Sequence, residues 1–115
     1  MNTEVRLTFN RTFSFADGHS YGDSGPYERW VGTASYALDP NDPTNANIVD
    51  LQYAPTNSKG LVEFSADLDI LKPVDLAKGN RRILYDVNNR GNKTALPSFN
   101  DAPRLPDPTT LADGG

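Results

Sequence analysis

The chain has 115 residues, 37% of them hydrophobic, with five Phe, five Tyr, one Trp and a formal charge of −4. That length suits a single core, and an apolar share below the roughly 45–50% of ordinary domains makes the core modest, while the aromatic content argues against disorder. Eleven Lys and Arg against fifteen Asp and Glu exclude the basic footprint of a nucleic-acid binder, and the lack of cysteine excludes disulfides, thiolate metal sites and cysteine nucleophiles.

Met1 to Asn10 carries charges at Glu4 and Arg6 and lacks the apolar stretch of about 7–15 residues that a signal peptide needs. No window approaches the roughly 18 apolar residues of a membrane span, so a soluble, cytoplasmic chain with neither membrane nor nucleic-acid partners is expected. Val5, Leu7, Phe9, Phe13 and Phe15 share one parity against Glu4, Arg6, Thr8, Thr12 and Ser14, which predicts a long half-buried strand. Ala16 to Pro26, with three glycines and a proline, predicts a loop. A second strand follows from about Tyr27 to Leu38, with Trp30, Ala34, Tyr36 and Leu38 on one face, until Asp39-Pro40 and Asp42-Pro43 stop it.

Ile48 to Tyr53 alternates again through Val49, Leu51 and Tyr53 and predicts a short strand, joined as a hairpin through Asn57 to Gly60 to the next one. That next strand has the cleanest pattern, with Val62, Phe64, Ala66, Leu68 and Ile70 alternating with Glu63, Ser65, Asp67 and Asp69. Pro73 to Gly79 allows one helical turn at most. Ile83-Leu84-Tyr85-Asp86-Val87 is nearly continuous in apolar residues, as in a strand covered on both faces. Beyond Asn88 no period survives, and the tail could start a helix after Asp107-Pro108 but stops too soon to finish a core element. The expected fold is therefore mainly β, with four to six strands in an antiparallel β-sandwich or open barrel, long loops and little helix. Its core is expected to hold Leu7, Phe9, Phe13, Trp30, Tyr36, Leu51, Phe64, Leu68 and Ile70.

Few residues suggest chemistry. Ser24 in Asp23-Ser24-Gly25 only imitates a nucleophile turn, and the single histidine, His19, has Asp17 and Asp23 nearby but too few further ligands for a metal. Asp67 and Asp69 share the wet face of one strand, about 7 Å apart, a spacing that could suit glycoside chemistry or calcium, but with nothing to tune either carboxyl as an acid a solvated strand face is expected. No glycine motif for phosphate occurs, and no cofactor or metal is expected. Asn89-Arg90-Gly91 is more informative, because a polar turn at the carboxyl end of a buried strand can aim backbone N–H groups at an anion, with Gly91 permitting a positive φ.

Several motifs occur here in one order: Phe15-Ala-Asp-Gly-His-Ser-Tyr-Gly-Asp-Ser-Gly-Pro-Tyr-Glu28, Ala37-Leu-Asp-Pro40, Asn45-Ala-Asn-Ile-Val-Asp-Leu51, Val62-Glu-Phe-Ser-Ala-Asp67, Leu84-Tyr-Asp-Val-Asn-Asn-Arg-Gly91, Phe99-Asn-Asp101 and Ala112-Asp-Gly-Gly115. Together they resemble the amino-terminal part of a bacterial family of uncharacterised α/β-hydrolase domain-containing proteins. The resemblance implies a longer, serine-type hydrolase acting on carboxylic esters or related acyl compounds, with its nucleophile, acid and histidine beyond this chain. It divides the sequence into an antiparallel β domain over 1–72 and, over 73–115, the start of a hydrolase-type sheet (strand 82–88) followed by a Pro-rich tail that is not an independent domain. It also makes Asn89, Arg90 and Gly91 candidates for the loop that helps form the oxyanion hole. The partner implied is the remainder of the hydrolase domain, or a second copy of the chain. The competing expectation is a non-catalytic β-rich binding or assembly module that works through aromatics such as Tyr21, Tyr27 and Trp30.

Overall fold

The computed structural model describes residues 3–115. Met1 and Asn2, which open the 1–72 region and the Met1–Asn10 segment discussed above, lie outside the described residues. Three strands, β1 (Glu4–Ser14), β2 (Tyr27–Leu38) and β3 (Val62–Pro73), form one open antiparallel sheet in the order β1-β2-β3. Two short helices, α1 (Ala95–Asn100) and α2 (Leu111–Gly114), and several single 3-10 turns complete the elements. The chain is mainly β with little helix, and its sheet is open rather than closed into a barrel.

The strand count differs from the expected four to six. Ile48–Tyr53 curls instead of extending: Asp50 is left-handed (φ +62), and the Ile48, Tyr53 and Ala54 amides bond three residues back to Asn45, Asp50 and Leu51 carbonyls. Three alternating residues among Asn and Asp are too short a pattern to outweigh that local turn chemistry. The Asn57–Gly60 turn forms, with Asn57 N–H donating to the Leu61 carbonyl at 2.8 Å and Asn57 Oδ1 accepting from Lys59 and Leu61. It delivers the chain into β3, which pairs with β2 rather than with residues 48–53. Residues 82–88 join no ladder among the described residues. Arg81, at φ +62, breaks the extended backbone just before them, and among the described residues no strand pairs with them.

The chain packs as two compact units, one made of the residues up to Arg11 and Trp30–Asp69, the other of Thr12–Arg29 and Ile70–Gly115. In the first, Gly32 of β2 meets β1 so closely that a Cβ would lie 1.8 Å from the Thr8 carbonyl oxygen and 2.8 Å from Phe9 Cα. Phe9 sets its ring edge-on to Trp30 at 5.0 Å, and Tyr36 stacks on Phe64 at 4.9 Å. Ala34, Ala37, Leu51, Leu61 and Val62 form the buried centre. Of the side chains expected inside, Leu51 is buried and Phe9, Trp30, Tyr36 and Leu68 are half-buried. Leu7 and Phe64 stay 51% and 47% exposed. Alternation selects which residues share a face, but a face is buried only where a second layer covers it.

In the second unit Phe15, Ala16 and Ala102 are buried, and Phe13 and Ile70 are half-buried. The 16–26 loop is a loop as expected, with Ala16 and Asp17 both at positive φ and 3-10 turns at Phe15–Gly18 and Gly22–Ser24. Pro73 to Gly79 yields the single turn Leu76–Lys78, where Asp75 caps the Ala77 amide. The tail does more than expected. Thr110 and Asp113 close a capping box that starts α2, the Ala16 N–H donates to the Thr109 carbonyl at 2.8 Å, and Gly114 is buried against Phe15 and Tyr21. Arg29, itself only 3% exposed, donates from one guanidinium nitrogen to Asp107 Oδ1 and to the Pro108 carbonyl, both at 2.6 Å. The tail thus completes the core of this unit, because a buried cation fixes it where apolar area is scarce.

Candidate functional site

His19, Tyr21, Tyr27 and Trp30 engage in aromatic contacts, and Asp67 and Asp69 stand on an exposed strand face. His19 is exposed and packs edge-on against Tyr21 at 4.9 Å, while Tyr21 in turn stacks on Phe15 and meets Tyr27 edge-on at 5.6 Å. Burial raises the Tyr21 hydroxyl above its ordinary range. Tyr21 and Tyr27 are half-buried in this cluster, and Trp30 is half-buried beside Phe9, so none is an open aromatic platform. Ser24 closes a 3-10 turn, its amide donating to the Tyr21 carbonyl. Asp67 and Asp69 are exposed on β3. Among the described residues no three His, Asp or Glu side chains converge as metal ligands, and no helix is long and apolar enough to cross a membrane.

The polar turn at 88–92 borders an open cleft. Asn89 and Asn92 exchange backbone hydrogen bonds at 3.2 and 3.0 Å, with Arg90 (φ +53) and Gly91 (φ +81) at the tip. A Cβ on Gly91 would meet nothing within 4 Å, so glycine is there for its backbone conformation and not for close packing. The Gly91 N–H donates to Asn88 Oδ1 at 3.2 Å. The Asn89 and Gly91 amides are therefore committed inside the turn, and Arg90 contributes the amide that is not.

Asp86 anchors the segment from the other side. Its carboxylate accepts from the Thr94 hydroxyl (2.5 Å), the Thr94 amide (2.8 Å) and the Ala95 amide (2.9 Å), closing the start of α1. The Thr94 hydroxyl first, then the two amides, hold the Asp86 carboxyl below the ordinary carboxylate range, and Lys93 nearby acts in the same direction. Asp is the residue type that satisfies orphan helix amides, so the sequence Asp86 to Ala95 folds back on itself for local reasons.

Between this turn and α1 lies a cleft of about 220 Å³. It is lined by Asn89, Asn92, Lys93, Thr94, Pro97, Ser98, Arg104, Leu105 and Pro106. Of the three positions singled out from sequence, Asn89 faces the cleft, whereas Arg90 and Gly91 stand exposed at the tip outside its lining. Lys93, Ser98 and Arg104 were not singled out. The signal that could have found them is charge segregation: residues 78–104 hold six of the eleven cations and only Asp86 and Asp101 among the fifteen acids. Outside that segment Arg29 pairs with Asp107, Lys59 with Glu4 (3.3 Å) and Lys72 with Glu28. No family model, no curated protein and no solved structure matches the chain.

Proposed function

We propose that the chain is the amino-terminal β-rich region of a cytoplasmic serine-type α/β hydrolase of carboxylic esters or related acyl compounds, working with the remainder of that hydrolase domain. The nucleophile, acid and histidine come from outside these residues. One observation carries the reading: Ile83, Leu84, Tyr85 and Val87 are 94%, 63%, 82% and 77% exposed, in one run, immediately before the polar turn. Burying a Leu, Ile or Val side chain is worth about 1.5–3 kcal/mol, so this run gains strongly from a sheet that covers it. Once it is covered, the 89–91 turn stands at the carboxyl end of a buried strand, where the Arg90 amide can reach a developing oxyanion.

The test compares p-nitrophenyl acetate turnover and hydrogen exchange at Leu84 in the 115-residue chain and in the product of the coding DNA read beyond Gly115. The expected result is turnover in the longer product alone, with Leu84 slowed in exchange there. Equal turnover in the 115-residue chain, or a longer product without esterase activity, overturns the reading. A concentration-dependent dimer of the 115-residue chain that protects Leu84 would replace it with the assembly-module alternative, which the same exposed run favours.

A further inference from the structure

From the cleft between the Asn89–Asn92 turn and α1, we infer a binding site for a small organic monocarboxylate. Arg104 supplies the cation that recognises it: the side chain lines the cleft, is exposed and has no ion-pair partner among the described residues. A guanidinium matches a carboxylate with two parallel N–H donors, which a point charge cannot do.

The remaining donors narrow the class. The Thr94 hydroxyl spends its proton on Asp86, so Ser98 and the Asn89 and Asn92 amide groups are left to donate from the walls. Lys93 adds a second positive charge, but Asp86, kept ionised by its three hydrogen bonds, offsets one of the two. The cleft thus carries a modest positive excess, which suits a monoanion. Pro97, Leu105 and Pro106 give the lining an apolar part that would be wasted on an inorganic ion and suits a short alkyl or aryl body. The segment's excess of cations over acids in an otherwise acidic chain gives this region the attractive field for such a ligand.

This inference stands on the cleft alone. The acid released from a carboxylic ester belongs to the same class, yet binding requires no turnover, so the two readings fail separately. The test titrates the 115-residue chain with sodium butyrate at constant ionic strength, following backbone amide shifts. Butyramide serves as the neutral control and inorganic phosphate as the inorganic one. Saturable shifts at Asn89, Asn92, Ser98 and Arg104 with butyrate, absent with butyramide and weaker with phosphate, are expected. Arg104→Gln should weaken butyrate binding about tenfold, the worth of one charge-assisted contact, while Arg104→Lys recovers only part of it. Because Arg104 is exposed and unpaired, its variants should keep the parent spectrum elsewhere, which separates lost binding from lost folding. Equal shifts with butyramide, no saturation with butyrate, or unchanged affinity in Arg104→Gln overturns the inference.

Discussion

Arg29→Ala tests whether one buried cation holds the tail in the core of its unit. Arg29 is 3% exposed and bonds Asp107 Oδ1 and the Pro108 carbonyl at 2.6 Å each, and its guanidinium lies 5.2 Å from the centre of the Phe13 ring. Truncation strips the Pro108 carbonyl of a donor, which costs about 1–3 kcal/mol for a buried group, and removes a cation–π contact worth roughly 0.5–1 kcal/mol. Asp107, with its side chain 53% exposed, resolvates and adds little, so the 3–5 kcal/mol penalty typical of a broken buried pair is not reached. The sum is about 3 kcal/mol, or a fall in Tm of about 12 °C at the roughly 4 °C per kcal/mol of a domain this size. Asp107→Asn keeps the carbonyl bond and should cost about half as much. Urea unfolding gives the energy, and hydrogen exchange of the Ala16 amide, bonded to the Thr109 carbonyl, reports directly on the docked tail. An Arg29→Ala protein within about 2 °C of the parent Tm, with Ala16 still protected, refutes the argument.

Three further outcomes follow from the same geometry. Gly32→Ala places a Cβ 1.8 Å from the Thr8 carbonyl oxygen, and since both atoms belong to backbone the strands must part; the loss should meet or exceed the upper end of the about 1–3 kcal/mol overpacking range, and a parent-like far-ultraviolet spectrum and Tm would contradict it. Phe64→Ala should cost only about 1–2 kcal/mol, because the ring is 47% exposed and is held chiefly by its stack on Tyr36; a loss near 4 kcal/mol would show that the ring is covered in solution. The depressed folded-state pKa of Asp86 means that its contribution is complete above the ordinary carboxylate range and is lost as pH falls through the folded value, so Thr94 and Ala95 amide protection should drop in acid. In Asp86→Asn that acid step should vanish, and an unchanged pH profile of the Thr94 amide shift would disprove the assignment.

The three strands were legible because each has an alternating stretch within its eleven or twelve residues, and β2 and β3 are also punctuated by Pro26, Pro40, Gly60 and Pro73. Residues 48–53 misled because three alternating positions carry little information beside an Asp that takes the left-handed conformation. Burial and pairing were both less legible than the strands themselves: β3 pairs with β2 and not with residues 48–53, and β2, in the middle of the sheet, keeps only Ser35 exposed, whereas β1 and β3 at its edges leave Leu7 and Phe64 in solvent. Strand order within a sheet is a nonlocal fact that periodicity does not carry. The anchoring of the tail was illegible for the same reason, since Arg29 and Asp107 stand 78 residues apart and neither belongs to a motif. At the candidate site, chain-order reading found the turn at 89–91 through its glycine. It missed Arg104, which lies fifteen residues from Asn89 in the chain and belongs to no motif, yet lines the same cleft.

The exposed run at Ile83–Val87 also bears on how the protein behaves in concentrated solution. A short stretch rich in Ile, Leu, Tyr and Val, presented without a ladder partner, has the composition from which cross-β stacks grow. Arg81 and Arg82 stand directly before it and Asp86 interrupts it, in the positions of gatekeeper charges that make stacking of identical segments repulsive. Their effect is electrostatic and therefore screened: added salt shortens its reach, and acid neutralises the net charge of −4 that keeps whole molecules apart. Colloidal stability in this chain thus depends on the charges around residue 84 and on the net charge, and low ionic strength at neutral or alkaline pH is the condition under which it stays dispersed.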